Sequence, residues 1–592
     1  MNARSSQLRG SDDPSRGRVR KGIRVRSSQF MIAPTAPGIG ESAVVRRLED
    51  AGGEVVRTLI TQRASGPPVV VARLTPEKAA ALRHAAGGML VVEVDEPLRC
   101  ATAFSAAMHG PAVTTALGSE FTTTIQVLSE SDAPLDQAEV QLVGEKWRAQ
   151  GFTASDGKID LTLCGELPDT LMELIVRPRV DHWGLWKSEP ELQPNAVNVV
   201  ALRPLSEMRD LGWGGSALRL DRLPPEYRGG SVKLGLIDTG IATSHKQLSG
   251  ITQGFATAPA DANGPSWSQD PMGHGTACAG IISAAWDPPK LQVVARPRGY
   301  ASEAELYVYK LPTDARSSDL VAALDHCIAT GLDLVCVGFG CRHGSTIVEQ
   351  RIVAAKQSGI AIIAAAGSDG GPVQFPASTP HVLAVAAIGQ AGTFPDDSPH
   401  AAYAASAVAS SGGFFVPAFS CRGPELDLCA PGVAVITCQS PDGYAARDGT
   451  SLAAAHVAAL AALVLAHHVD FRRDFATRDV RRVERLFQIL KETAQPLGNP
   501  MLTGAGLPCA PLALGLQLWA PQTSFRAELG DMHDALHYAG LSGPKRPYLP
   551  GPQPQRGPAF VAPLPLTPLL SRQASLSDLK AAMQLAGLSA RG

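Results

Sequence analysis

The chain has 592 residues, enough for several domains, and 45% of them are hydrophobic, so sizeable cores can form. A formal net charge of −2 gives no general attraction to nucleic acid or to an anionic membrane, and neither is expected as a partner. The ten cysteines show no CxxC or Cys/His ligand spacing; most lie in apolar runs and read as small buried residues in a reducing compartment, with no metal site among them.

Residues 1–27 read as a disordered basic leader, with Arg4, Arg9, Arg16, Arg18, Arg20, Lys21, Arg24 and Arg26 opposed only by Asp12 and Asp13. No apolar stretch follows it, so no secretory signal is expected; the expected location is the cytoplasm, with leaderless export as the alternative. Residues 28–97 alternate strand, helix and strand twice. Phe30-Met31-Ile32 is followed by a helix from Glu41 to Ala51 and a strand from Glu54 to Thr58. Val69 to Leu74 is then a strand, Pro76 to Ala85 a helix capped by Thr75, and Met89 to Val94 a strand. That order predicts a ferredoxin-like α+β domain. Residues 115–205 carry short alternating runs (Thr122 to Leu128, Ala138 to Val143, Ile159 to Leu163, Met172 to Val176, Asn198 to Leu202) separated by polar turns, the pattern of a small β-sandwich.

Residues 206–520 hold the residues that carry chemistry. Leu234-Gly235-Leu236-Ile237-Asp238-Thr239-Gly240 is an apolar strand ending in an acid, which places Asp238 at a sheet edge where α/β sites form. Gly273-His274-Gly275-Thr276 puts a His at the start of an apolar helix. Asp448-Gly449-Thr450-Ser451 puts an exposed Ser at the start of a long Ala/Leu/Val helix, beside unpaired N–H groups suited to an oxyanion. Each motif alone is weak, since Ser and Thr are ordinary N-caps and a lone His is usually structural. Asp, His and Ser in this order are one of the known arrangements of a nucleophilic triad. Leu452 to Val469 is apolar enough to resemble a membrane span, but it continues from the Ser and reads as a buried central helix.

With these motifs, residues 206–520 resemble the subtilisin-like serine proteases, the subtilase superfamily. The likeness extends over Trp213 to Ile241, Glu305 to Lys310, Asp333 to Gly340, Ala361 to Gly367, Ala418 to Gly432 and Gly504 to Leu507. It implies an α/β fold with a doubly wound parallel sheet and a serine endopeptidase acting on extended peptide segments through an acyl-enzyme. Asp238, His274 and Ser451 take the triad roles, and Gly338, Phe339, Gly340, Ala365, Ala366 and Gly367 bind the substrate. The second oxyanion donor is an Asn in the family; here the loop reads Ala365-Ala366-Gly367-Ser368. Ser368 takes that place with a shorter hydroxyl, so turnover is expected to be slow or selective, and a peptide-holding protein with little activity is the alternative. Asp369, near the first substrate pocket implied by the resemblance, reads as a solvated loop acid, with a preference for a basic substrate residue as the alternative.

The resemblance also gives residues 28–97 the character of an inhibitory propeptide domain contacting the catalytic domain. Residues 115–205 are similar to the regulatory-like domains found beside carboxypeptidases. No cofactor is expected: subtilases often hold Ca²⁺ after the His helix, but Trp286-Asp287-Pro288-Pro289-Lys290 lacks the oxygen ligands that calcium needs. Residues 521–592 read as a tail, with nine prolines between Pro544 and Pro568 and a short helix around Leu576 to Leu588.

Overall fold

The computed structural model describes residues 27–35, 38–59, 66–102, 120–205, 211–258, 266–285 and 297–517. The basic leader up to residue 26, the Trp286 to Lys290 stretch and the tail from residue 518 lie outside them.

The first domain contains β1 (Ser28–Pro34), α1 (Glu41–Asp50), β2 (Glu54–Leu59), β3 (Val69–Leu74), α2 (Pro76–Ala85) and β4 (Leu90–Val94). Its sheet is antiparallel in the order β2-β3-β1-β4. The two-residue strand period sorts the side chains: Phe30, Ile32, Val70 and Ala72 pack with Val44, Leu48, Ala79 and Leu82 of the helices. Met31, Ala33 and Val69, on the other face, join the core of the large domain. Thr75 caps α2 by accepting from the Lys78 N–H at 3.4 Å.

Two acids at the end of β4 fix the seat of this sheet. Glu93 accepts from the N–H groups of Thr346 and Ile347, both at 3.0 Å, and from the Ser345 hydroxyl. Asp95 accepts from Ser318 N at 2.8 Å and Ser318 Oγ at 2.7 Å. Each carboxylate thus meets the unpaired N–H groups and partial positive charge at the start of a helix of the large domain. Next along the chain comes the short β5 (Arg99–Cys100).

The second domain is a two-sheet sandwich of β6 (Glu120–Ser129), β7 (Glu139–Gly144), β8 (Arg148–Phe152), β9 (Lys158–Cys164), β10 (Leu171–Arg177), β11 (Leu185–Ser188) and β12 (Val197–Leu202). The sheets run β11-β10-β7-β8 and β12-β6-β9. Phe121, Ile125 and Val127 of β6 pack with Val140, Leu142, Leu174 and Val176 across the core. All five strands expected from alternation are present; β8 and β11 are additional edge strands.

The large domain begins with α3 (Gly212–Ala217) and carries the parallel strands β13 (Lys233–Asp238), β14 (Gln253–Ala256), β15 (Glu305–Lys310), β16 (Leu334–Val337), β18 (Ala361–Ala365), β19 (Leu383–Gln390) and β22 (Leu428–Pro431). Between them stand α4 (His274–Ser283), α5 (Ser317–Thr330), β17 (Phe339–Gly340), α6 (Thr346–Gln357), α7 (Pro399–Ala405), β20 (Ala409–Ser411) and β21 (Phe414–Val416). The order is β14-β15-β13-β16-β18-β19-β21-β20, with β22 beside β19 and the last two strands antiparallel. This is the expected doubly wound α/β sheet with an antiparallel extension. The hairpin β23 (Val435–Gln439) and β24 (Gly443–Arg447) leads into α8 (Thr450–His467). That helix is long and apolar enough to cross a membrane, yet it is buried nearly throughout against β16, β18, β19 and β22. It is the central core helix.

Candidate active site

Asp238 closes β13 at the carboxyl edge of the sheet, where the connecting loops diverge. It is fully buried, and its Oδ1 accepts from Thr239 N at 2.7 Å and from His274 Nδ1 at 2.5 Å. His274 opens α4 just after Gly273, whose φ of 71° is a left-handed turn. Asp270 holds that turn, accepting from Gly273 N at 3.0 Å, Thr276 N at 2.8 Å, Thr276 Oγ1 at 2.7 Å and Thr239 Oγ1 at 2.8 Å. Ser451 is the second residue of α8, and its Oγ lies 2.7 Å from His274 Nε2. With Nδ1–H donated to Asp238, Nε2 is the acceptor, so the Ser451 hydroxyl donates to it.

Two glycines allow this close assembly. A Cβ on Gly275 would stand 2.1 Å from the Gly240 carbonyl oxygen, and one on Gly338 would stand 2.2 Å from Asp238 Oδ2. Burial works against the charged form of His274, but the charge and hydrogen bond of Asp238, helped by Asp270, outweigh it and the opposing Arg447. The ring therefore titrates above the ordinary histidine value.

The chain itself runs through the cleft. Cys100 and Arg99 pair antiparallel with Phe339 and Gly340, Ala101 N donates to Gly338 O at 2.9 Å, and Thr102 bridges to Gly449. Gly338, Phe339 and Gly340 thus hold an extended segment of this chain by added-strand pairing. The Ala101 carbonyl oxygen accepts from Ser368 Oγ at 2.8 Å and Ser451 N at 3.3 Å. Ser451 Oγ stands 3.2 Å from the same oxygen, its proton already directed at His274. Ser368 is therefore within donor reach despite its short side chain. Its Oγ accepts from Thr450 N at 3.1 Å and lies 3.0 Å from Thr450 Oγ1, which in turn accepts from Gly367 N at 3.2 Å. Since the Ser368 proton goes to Ala101, Thr450 donates in that pair, and the hydroxyls form one directed chain.

Ala365, Ala366 and Gly367 do not pair with the segment. Ala366 N donates to Val385 O at 2.9 Å, Gln374 N donates to Ala366 O at 2.9 Å, and Gly367 N serves Thr450. Their main-chain groups are engaged inside the domain, and they build the loop that carries Ser368 while the segment pairs with the other strand. Asp369 is a loop acid in an ion pair with Arg342 at 2.9 Å. Asp270, Arg447 and the segment itself were not foreseen. The spacing of Asp270 four residues before His274 and six before Thr276 is the only local sign of its capping role. Cys278, one turn beyond His274, is likewise buried here; Asp238, His274 and Cys278 offer ligand atoms within 4.8 Å of one another. Burial, and next to it the Asp238 charge, push the Cys278 thiol well up.

Residues 229–506 match the profile of the subtilase family, Peptidase_S8. Subtilisin DY of Bacillus licheniformis is 31% identical over 304 residues, covering 50% of this chain and 95% of that protein. A subtilisin of Bacillus pumilus is 30% identical over 289 residues, covering 48% of this chain and 90% of its own. Among solved structures, fervidolysin of Fervidobacterium pennivorans, a keratinolytic enzyme related to subtilisin, aligns with a TM-score of 0.50 at 17% identity. That alignment covers 85% of this chain and 63% of fervidolysin, and it bears on the fold alone.

Proposed function

The chain belongs to the subtilase family and is a serine endopeptidase, and on that premise we propose that Asp238, His274 and Ser451 carry its reaction. Ser451 Oγ attacks the scissile carbonyl carbon while its proton passes to His274 Nε2. Asp238 holds the ring by Nδ1 and stabilises the imidazolium. The developing oxyanion takes hydrogen bonds from Ser368 Oγ and Ser451 N. Collapse returns the proton to the leaving amine, leaving an acyl-enzyme on Ser451. Water then attacks that ester, His274 first taking its proton and then returning one to Ser451 Oγ.

One observation carries this reading: the Ala101 carbonyl oxygen lies 2.8 Å from Ser368 Oγ and 3.3 Å from Ser451 N, beside a Ser451 Oγ 2.7 Å from His274. The same geometry supports residues 28–97 as an inhibitory prosegment. Their exit strand fills the cleft, and the bond over Ser451 is Ala101–Thr102. All of the chain up to Ala101 is cut off there in a single intramolecular step, leaving the sandwich attached to the catalytic domain. All ten cysteines are free and eight of them are buried, which supports the reducing, cytoplasmic setting expected from the sequence. The test is a fluorophosphonate probe on the processed chain: a mass adduct on the Ser451 peptide, absent from Ser451→Ala, is expected. Labelling that persists in Ser451→Ala would refute the assignment.

A further inference from the structure

Downstream of Ala101 the cleft opens into a pocket of about 190 Å³, larger than the roughly 150 Å³ that accommodates a benzene ring. Thr102, the residue after the bond over Ser451, lines it, together with His274 and Arg447 of the catalytic domain. So do Glu139 and Arg177, which face each other at the ends of β7 and β10 of the sandwich. The sandwich is anchored at this spot. Asp181 N donates to Tyr444 O at 2.7 Å, Tyr444 N to Asp181 Oδ1 at 2.9 Å, and Trp186 N to Asp397 O at 2.6 Å. Arg203 pairs with Asp397, and the Trp183 ring meets His400 edge-on at 6.0 Å.

The polar groups of the pocket are unequally satisfied. Asp448 is engaged, accepting from His400 Nδ1 and Ala434 N, each at 2.8 Å. Arg447 donates only to the neutral Gln439 among the described side chains. Arg177 Nη1 is buried and makes no hydrogen bond, its nearest carboxylate being Glu139 at 3.5 Å. Thr102 Oγ1 is also buried without a hydrogen bond, so the present occupant gives this Nη1 no acceptor and leaves it the Glu139 ion pair. A buried donor without a partner is costly, and a longer side chain ending in an acceptor would relieve it.

We propose that the β-sandwich is part of the peptidase site: with Arg177 it builds the pocket for the residue that follows the cleaved bond, and that pocket selects an acidic or amide side chain and disfavours a basic one. The proposal rests on the reading of Ser451 as nucleophile, and it assigns the sandwich a role in substrate choice that outlasts removal of the chain up to Ala101.

The test varies the first residue of the leaving group. In the full chain, Thr102→Glu, Thr102→Gln, Thr102→Ala and Thr102→Lys are compared for cleavage after Ala101 by intact-mass spectrometry. In parallel, quenched-fluorescent peptides with Leu-Arg-Ser-Ala before the bond carry the same four residues after it. Glu and Gln should be cleaved faster than Ala, and Lys slowest, with a Glu-to-Lys ratio of about tenfold, the size of one charge-assisted hydrogen bond. Arg177→Glu should bring that ratio to one or below; if it does not fold, Arg177→Gln should bring it close to one. A ratio near one in the wild type, or one unchanged by either substitution, overturns the pocket assignment. Failure of every substrate to be cleaved overturns instead the peptidase reading beneath it.

Discussion

Replacing Ser368 by Ala removes one hydroxyl whose place in the site is defined on both sides. It donates to the Ala101 carbonyl at 2.8 Å, and it accepts from Thr450 N at 3.1 Å, the amide that opens α8. The second loss resembles that of a helix cap and should cost about 1 kcal/mol of stability. The first acts on the reaction. The other donor, Ser451 N, is longer at 3.3 Å, so the shorter Ser368 bond should bear the larger part of the developing charge. Loss of one such donor in a subtilisin costs about 10²–10³ in turnover, or about 2.7–4 kcal/mol. A fall of about 10² in the acylation rate is therefore expected for Ser368→Ala, with KM changed less than about threefold because the bond strengthens mainly in the transition state. Ser368→Thr, which keeps the hydroxyl, should recover most of the rate. Ser368→Asn should also lower it, since a longer side chain must fit where the hydroxyl already reaches. Single-turnover hydrolysis of one quenched peptide by the four proteins reads all of this. Equal rates for Ser and Ala, or a faster Asn variant, would refute the hydroxyl as donor.

Other perturbations address the rest of the site. Ser451→Ala should abolish peptide hydrolysis with the fold intact by circular dichroism, and His274→Ala should cost nearly as much, the two losses not adding in the double variant. Gly338→Ala should cut kcat strongly, because its Cβ would press within 2.2 Å of Asp238 Oδ2; unchanged kinetics would contradict the packing. Since a neutral His274 must accept the Ser451 proton, activity falls as pH drops through its raised pKa, so the acid limb of kcat/KM should lie above the free-histidine value of about 6.5. Arg447 opposes the charged ring, so Arg447→Met should move that limb further to alkaline pH; a shift to acid would contradict the sign. In a Ser451→Ala background, Glu93→Gln with Asp95→Asn should loosen the first domain by about 1–2 kcal/mol per site, read as easier denaturant unfolding of that domain.

What could be read from the sequence follows from how local each signal is. Asp238, His274 and Ser451 were legible because each sits at the end of one element within a short motif, and their order supplied the rest. The helices and strands of the first domain were legible for the same reason: Thr75 and Pro76 mark the start of α2, and β3 is a short β-branched run, Val69 to Val71, buried on both faces. β8 and β11 were not, because both are edge strands of their sheet, and Arg148 to Phe152 carries no buried alternation. Ser368 could be located but its reach could not, since that depends on Thr450 and on the path of Ala101, 267 residues away in sequence. The loop of Ala365 to Gly367 resembles a substrate-bracketing strand of the family, yet the Ala366 and Gly367 amides donate to Val385 and Thr450, a choice set by tertiary pairing. Nothing in the sequence of Glu139 or Arg177 marks the sandwich as a wall of the cleft. That appears only when the Asp181 and Trp186 contacts seat it there.

The central claim is that the chain carries its own first substrate in register over Ser451, and the mass of the purified protein tests it directly. The account predicts cleavage between Ala101 and Thr102, first-order and independent of protein concentration, and absent from Ser451→Ala. A wild-type chain that stays intact, a cut at another bond, or the same cut in Ser451→Ala would contradict it.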